Sequence, residues 1–377
     1  MSTHTLPDLD KFSHLVDYRE SQVVLSFIKN KLELKRKNQF PGMQPVSMDK
    51  QNISFLLNED YLVCEKSDGI RSLLVLLFYG GKPRTYLMDR KNEIRRAENI
   101  WFPTETSEFH NETIVDGEFV VDIEPGNIRR LRYLIFDCLM LCGQNVTSRN
   151  LLVRLGKAEV FIVKPIRNSK AYQANSPFGV YLKRMKKVIE LQKQFDEVLP
   201  NLRHGNDGLI FTPVNEPYIF GTSSKVLKWK SPEMNTVDFI VTFDHEHDVY
   251  NLYCNQKGMP MFYAFYSPDD EFLDWVSHNN NESCIIECYF DKEKITKGFD
   301  FDKNSYYEDK GGWKFMRVRT DKDTPNDFSI VDKIIRSITH NITKDKLLKL
   351  QPVIQENWEQ REESKHSTKK IKADDVS

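Results

Sequence analysis

Glu65-Lys66-Ser67-Asp68-Gly69-Ile70-Arg71 sets a single lysine between two apolar runs, Tyr61-Leu62-Val63-Cys64 before it and Leu73 to Tyr79 after it. Two such runs separated by an Asp-Gly turn read as the strands of a hairpin. The turn therefore presents Lys66, either as an incidental flank of the hairpin or as a working group. Both readings stay open on this stretch, and the sequence around it separates them.

Working outward, Leu73 to Tyr79, Thr85 to Asp89, Thr113 to Val121 and Arg132 to Leu139 are short, rich in β-branched and aromatic residues and bounded by Gly, Pro or Asn, as strands of a largely antiparallel sheet are. Upstream, Arg19 to Lys37 carries Val23, Val24, Phe27, Ile28 and Leu32 at helical spacing and ends in Lys35-Arg36-Lys37. The loop Phe40 to Ser47, with two prolines and a glycine, is too stiff for a linker and is expected to pack against something specific. Ser47 is placed to cap a short helix over Asp49 to Leu57. Downstream, the period becomes helical between Leu151 and Leu202, most clearly in Phe178 to Leu199, which is expected to be a structural helix. Strands return at Gly208 to Thr212 and Val226 to Lys230, and Pro232 breaks the chain. Val237 to Phe243, Asn251 to Asn255, Met261 to Tyr266, Cys284 to Phe290 and Trp313 to Arg319 then suit a small barrel of the oligonucleotide-binding kind. Asp327 to Leu350 is helical again. The charged tail after Gln360 reads as disordered, and Lys369-Lys370-Ile371-Lys372 in it reads as a solvated tail or as a nuclear signal. The expected domains are 1–237, 238–326, a helical segment 327–360 and the tail 361–377.

Bulk properties exclude several classes. Among 377 residues, 54 Lys and Arg stand against 55 Asp and Glu, so no global basic field advertises a nucleic-acid partner and any anion site must be local. No apolar run approaches a membrane span, which speaks against a membrane partner. The six cysteines are scattered, and neither Cys138/Cys142 nor Cys284/Cys288 has the further ligands of a zinc set. A reducing compartment, cytosol or nucleus, follows.

Strand geometry picks out the chemistry. Residues two apart share a face, so Lys228 and Lys230 project together while Leu227 and Trp229 turn to the core. Two ammonium groups side by side want an anion between them. Asp116 and Glu118 straddle Gly117 and share a face, which suits a divalent cation or a sugar hydroxyl. Asp207 stands before Gly208 at the mouth of the apolar run Leu209-Ile210-Phe211. Arg317, Arg319 and Asp321 alternate along one strand, with Lys322 after them, as a phosphate-and-metal clamp would. A lysine nucleophile needs neighbouring positive charge or partial burial to lose its proton, and Lys228 and Lys230 would supply that charge. Together these groups describe nucleotidyl transfer through a lysine adduct.

The ordered series Lys66-Ser67-Asp68-Gly69-Ile70-Arg71, Asp89-Arg90, Asp116-Gly117-Glu118, Arg132 to Asp137, Asp207 to Phe211, Leu227 to Lys230 and Arg317 to Lys322 resembles the motif set of GTP-dependent mRNA capping enzymes, within the superfamily of covalent nucleotidyltransferases that includes ATP-dependent ligases. The resemblance runs from Phe40 to about Asn326. It implies an α+β fold: a nucleotidyltransferase domain of the ATP-grasp-like ligase and capping type with largely antiparallel sheets, then an OB-fold β-barrel and C-terminal helices. It implies that Lys66 attacks the α-phosphate of GTP, that Lys228 and Lys230 contact that phosphate, and that Asp207 and Glu118 serve catalysis and hold Mg2+ or Mn2+. Arg71 and Glu118 would hold the ribose, Phe136 would stack on guanine rather than Tyr133, and Arg90 would lie on the RNA or phosphate path. Arg317, Arg319, Asp321 and Lys322 would engage the outer phosphates. The implied partners are a 5′-diphosphate nascent mRNA, a separate RNA 5′-triphosphatase (beta) subunit and the phosphorylated C-terminal domain of RNA polymerase II. The implied location is the nucleus. An ATP-dependent RNA or DNA ligase and a non-catalytic scaffold are the alternatives, and residue types alone do not decide between GTP and ATP.

Overall fold

The computed structural model describes residues 6–35, 39–106, 109–231, 235–279, 283–340 and 342–374. The expected break at Pro232 and the basic residues Arg36 and Lys37 lie outside them. The chain forms two compact units, residues 1–229 with 345–377 and residues 230–344.

In chain order the first unit carries β1 (Ser13–Leu15), β2 (Met43–Ser47), β3 (Tyr61–Ser67), β4 (Ile70–Tyr79), β5 (Lys82–Met88), β6 (Ile94–Ala97), β7 (Thr113–Glu124), β8 (Ile128–Leu141), β9 (Gln144–Asn145), β10 (Gly179–Leu182), β11 (Lys186–Lys187), β12 (Asn206–Pro213) and β13 (Gly221–Trp229). One sheet runs β1-β6-β5-β4-β7-β8-β10 with β9 on β8, and a second runs β11-β3-β12-β13-β2. All pairs are antiparallel except β10 on β8 and β2 on β13. The stiff loop expected at Phe40 to Ser47 thus ends as an edge strand, and its packing partner is β13. The short helix after it is capped by Asp49, whose carboxylate accepts from the amides of Gln51 and Asn52, rather than by Ser47.

The run Leu73 to Leu77 is apolar at every position because its sheet is covered on both faces. Leu73, Val75 and Leu77 pack with Val24 and Ile28 of the helix Tyr18–Lys31 and with Leu32 just after it. Leu74 and Leu76 face the other way, onto Phe119, Tyr133 and the helical residues Ala158, Ile162 and Ile166. Each such side chain contributes about 1.5–3 kcal/mol by leaving water, so the strand entering the turn after Lys66 is among the most firmly fixed in the unit. At the turn itself, a Cβ on Gly69 would lie 2.2 Å from the Phe119 carbonyl oxygen. A backbone atom cannot swing aside. Gly69→Ala is therefore expected to cost about 1–3 kcal/mol, measurable as a lower urea midpoint.

Two expectations are corrected in this unit. Phe178 to Leu199 is not one helix: Gly179–Leu182 pairs with Arg132–Ile135, and Lys186–Lys187 pairs with Leu62 and Val63, so the segment crosses from the first sheet to the second before short helical turns begin at Val188. Its apolar residues fit strand alternation as well as helical spacing, and the open strand edges won. The tail expected to be disordered from 361 is helical from Gln351 to Asp374 and belongs to the first unit. Asn357 and Arg361 donate to the Leu57 carbonyl at 3.1 and 3.0 Å, and Arg361 also bonds the Asp60 carboxylate. Few aromatics and many charges describe a solvated helix as well as a disordered tail.

The second unit holds β14 (Thr236–Asp244), β15 (Val249–Gln256), β16 (Met259–Tyr266), β17 (Ser283–Asp300) and β18 (Ser305–Val318), with the helix Asp270–Asn279 between β16 and β17. Their order is β16-β15-β14-β17-β18, and every described pair is antiparallel. The pairings among described residues form a path, without the pair that would close the expected barrel. Phe239, Leu252, Phe272, Ile286 and Trp313 form its core, and the helix Phe328–His340 adds Val331 to it.

Candidate active site

Lys66 and Asp207 lie 141 residues apart in sequence, and the second sheet brings them together. β3 and β12 run antiparallel, and their register shifts between Asn206 and Leu209, where Gly208 has φ +144°. The bulge leaves Asp207 facing Lys66, and Lys66 Nζ donates to Asp207 Oδ1 at 2.6 Å. Both side chains are a little over a quarter exposed. The charge expected to condition Lys66 came from Lys228 and Lys230; the partner the structure sets on its ammonium is this carboxylate, which fixes where Nζ points. Lys228 stands on β13 opposite Ile210, with Leu227 and Trp229 buried on the reverse side as expected. Lys230 follows the strand's last residue and begins the second unit.

Beside Lys66 opens a cavity of about 110 Å3, lined among others by Arg71, Arg90, Glu118, Phe136, Lys183 and Ile210. Arg71 and Glu118 are directly opposed across β4 and β7. The Arg71 guanidinium lies between two rings, 5.5 Å from the centroid of Phe40 and 5.2 Å from that of Phe136. Its Nε and Nη2 donate to the two oxygens of Asp116 at 3.0 and 2.6 Å, and the Tyr218 hydroxyl donates to Asp116 Oδ2 at 2.5 Å. Asp116 has no exposed surface, so this carboxylate, read from the sequence as one of a metal-ready pair, is spent on holding Arg71. Tyr133 is wholly buried, with its hydroxyl bonded to the Ser72 carbonyl, whereas Phe136 keeps a half-buried ring on the cavity wall. Burial raises the Glu118 carboxyl above its usual range despite Lys183, Lys66, Arg71 and Arg90 around it. The described residues contain no group of three or more His, Cys, Asp or Glu that could hold a metal ion. Two carboxylates, Glu118 and Asp207, are what a Mg2+ ion that also binds substrate phosphates requires of a protein.

Sequence reasoning missed Lys183 because it laid the residue on a helix. It sits just past β10, almost wholly buried, with Nζ 2.8 Å from Ser67 Oγ, 3.5 Å from Glu65 Oε1 and 3.9 Å from Glu118 Oε2. Burial pulls its pKa down, but Glu65 and Glu118 outweigh that and hold it above the usual lysine value. No sequence signal sets it apart from Arg184, Lys186 and Lys187 beside it. His204 was missed as well: Nδ1 lies 2.7 Å from Asp122 Oδ1, and Nε2 lies 3.6 Å from Glu65 Oε1. Burial lowers the His204 pKa, yet the bonds to Asp122 and Glu65 prevail and leave it raised. A raised folded-state value means that the stabilisation is fully present below the ordinary imidazole pKa and is lost as pH rises through the folded one. The unfolding free energy lost in His204→Ala is thus expected to shrink across that window, as parallel urea titrations at several pH values would record.

In the second unit the four expected phosphate contacts gather around acids. The strand ends at Val318, so Arg319 leaves the alternation and forks onto Asp321 from a turn, with Nε and Nη2 at 2.8 Å from its two oxygens. Arg319 also reaches the buried Asp238 at 3.0 Å, Lys322 bonds Asp238 too, and Arg317 bonds Glu287 at 2.6 Å. Three cations therefore meet three carboxylates. The expected single face of Arg317, Arg319 and Asp321 is a neutral cluster in which Arg317 is the most exposed cation.

The family model for the mRNA capping enzyme catalytic domain matches residues 13–232, and that for the mRNA capping enzyme C-terminal domain matches residues 234–348. The chain is 38% identical over 363 residues to the mRNA-capping enzyme subunit alpha of Schizosaccharomyces pombe, covering 90% of this chain and 86% of that protein. To the protein of the same name in Neurospora crassa it is 32% identical over 365 residues, covering 85% and 87%. Among solved structures, mycobacterial DNA ligase D complexed with ATP and MES aligns over 75% of this chain and 95% of its own, at 12% identity and a TM-score of 0.38.

Proposed function

This chain belongs to the mRNA capping enzyme family, and on that premise we propose that it is an mRNA guanylyltransferase working through Lys66. The observation that carries the residue assignment is the 2.6 Å bond from Lys66 Nζ to Asp207 at the mouth of the cavity walled by Arg71, Glu118 and Phe136. Lys66, oriented by Asp207 and reacting as the free amine once its proton has gone to solvent, attacks the α-phosphorus of GTP. The new P–N bond forms as the bond to the β-phosphate oxygen breaks, and pyrophosphate leaves. A terminal phosphate oxygen of a 5′-diphosphate RNA then attacks the same phosphorus, breaks the P–N bond and frees the lysine.

The cavity of about 110 Å3 is below the 300–1,000 Å3 of a whole ligand site, and suits a base between Phe136 and Ile210 with the phosphates outside. Arg71 is fixed by Asp116 and Glu118 faces it, so the pair is set for the ribose hydroxyls. Lys228 and Lys230 are assigned to the α-phosphate, Arg90 to the phosphate or RNA path, and Arg317, Arg319 and Lys322 to outer phosphate oxygens, which must displace the Glu287 and Asp238 carboxylates now bound there while Asp321 keeps the Arg319 guanidinium oriented. Mg2+ or Mn2+ on Glu118 and Asp207 would neutralise developing charge on the α-phosphate. The relatives' name, subunit alpha, supports a partner subunit, which we read as the RNA 5′-triphosphatase, and because capping acts on nascent mRNA we read the work as nuclear and at the phosphorylated polymerase tail. Incubating the protein with GTP or ATP labelled at the α-phosphate tests the core of this reading: covalent label from GTP is expected, and label from ATP instead would favour a ligase.

A further inference from the structure

The residues on either side of the nucleophile, Glu65 and Ser67, point away from it into a buried ionic network that the reaction does not use. Glu65 Oε1 lies 3.5 Å from Lys183 Nζ, 3.6 Å from His204 Nε2 and 3.4 Å from Ser67 Oγ. Ser67 Oγ accepts from Lys183 at 2.8 Å and stands 3.4 Å from His204 Nε2. On its other side His204 meets Asp122, which is held in turn by Arg132 Nε at 2.6 Å, and Arg132 bonds Glu124 at 2.8 Å. Glu65 is on β3 of the second sheet and Asp122 on β7 of the first. One imidazole therefore joins the two sheets between which the cavity lies, and its partners on β3, Glu65 and Ser67, flank Lys66.

We infer that His204 is a positioning residue for the nucleophile: as an imidazolium it ties Glu65 to Asp122 across the two sheets and fixes the strand that presents Lys66. The geometry makes this depend on its charge. Charged, both ring nitrogens donate, Nδ1–H to Asp122 and Nε2–H toward Glu65. With the proton kept on Nδ1 by Asp122, neutral His204 turns a lone pair on Nε2 toward the Glu65 carboxylate. The attraction is lost, and the Ser67 hydroxyl, which otherwise donates to Glu65, is drawn to Nε2 instead. Lys183, answering to both Glu65 and Glu118, then carries the strain of that change to the cavity wall. The groups facing the imidazole are Glu65 and Ser67 from β3 and Asp122 from β7, with Lys183 and Arg132 one contact further out. A cavity of about 770 Å3 borders His204, Glu65, Asp122 and Lys183 and gives the network access to solvent protons. Displacement of a reacting atom by about 1 Å costs on the order of a hundredfold in rate, so a modest loosening of β3 is enough to be seen.

This inference rests on the guanylyltransferase reading, and the experiment separates the two. Single-turnover formation of labelled lysine-GMP at saturating GTP is followed from acid to alkaline pH for wild type, His204→Gln and His204→Ala, with GTP affinity and thermal midpoint measured beside it. His204→Ala is expected to slow adduct formation by about tenfold or more with GTP affinity within about threefold. His204→Gln keeps an N–H donor but no charge and cannot titrate, so the ratio of wild-type to His204→Gln rate is expected to be largest at low pH and to fall to one or below once His204 has lost its proton. A ratio that does not change with pH, or equal rates throughout, overturns the positioning role. A wild-type protein that forms no adduct overturns the guanylyltransferase reading instead.

Discussion

Lys66→Ala is expected to lose the covalent label from α-labelled GTP, by at least about a thousandfold, while still binding GTP and keeping its thermal midpoint. The size follows from the chemistry: without the amine no P–N bond can form, and removal of a nucleophile costs far more than removal of any group that assists it. The unchanged midpoint follows from the structure. Lys66 is partly exposed and its pair with Asp207 is shared with solvent, and exposed ion pairs contribute about 0–1 kcal/mol. Lys66→Arg separates charge from nucleophilicity. Its guanidinium keeps the positive charge opposite Asp207 but does not deprotonate in a protein, so it is expected to be as inactive as the alanine. Adduct formation in either variant, or label mapped by mass spectrometry to Lys183 or Lys228, would overturn the assignment of Lys66.

Asp207 bears on how far such a site can be read from sequence. The unbroken apolar run along β4 and the Asp-Gly turn are local, and both were legible. That Asp207 faces Lys66 depends on a one-residue shift in the pairing of β3 with β12, which no spacing within either strand announces. The sequence offered Lys228 and Lys230 as the conditioning charge because identical residues two apart are easy to see, whereas a carboxylate arriving across a bulge is not. Lys183 was hidden for a different reason. Apolar residues between Phe178 and Leu199 satisfy two periods at once, and the choice between them was made by empty edge positions on two sheets, a tertiary fact. Arg319 shows the converse error, since alternation was extended three residues beyond the point where the strand actually stops.

Asp116 tests whether the Asp-Gly-Glu pattern was divided correctly between fold and chemistry. Its carboxylate is wholly buried, takes two bonds from Arg71 and one from Tyr218, and has no face left for a cation. Gly117 beside it has no freedom to change either, because a Cβ there would lie 2.5 Å from the Tyr133 ring. Asp116→Ala would leave the Arg71 guanidinium buried between Phe40 and Phe136 without the carboxylate that takes both of its bonds, which costs about 3–5 kcal/mol, and would take the acceptor from a buried phenol. For a unit of this size that is a fall in midpoint on the order of 10 °C. Asp116→Asn keeps an acceptor for Tyr218 but not the charge, and is expected to fall between. Glu118→Gln is the control: Glu118 is already pushed toward its neutral form by burial, so a neutral amide is expected to move the midpoint by no more than a few degrees while adduct formation collapses. If Asp116 instead held the metal, its alanine variant would keep its midpoint and regain adduct formation as Mn2+ is raised. Thermal unfolding of the three variants, with and without Mn2+, separates these outcomes, because an orphaned buried charge cannot be repaired by an ion that has no route to it.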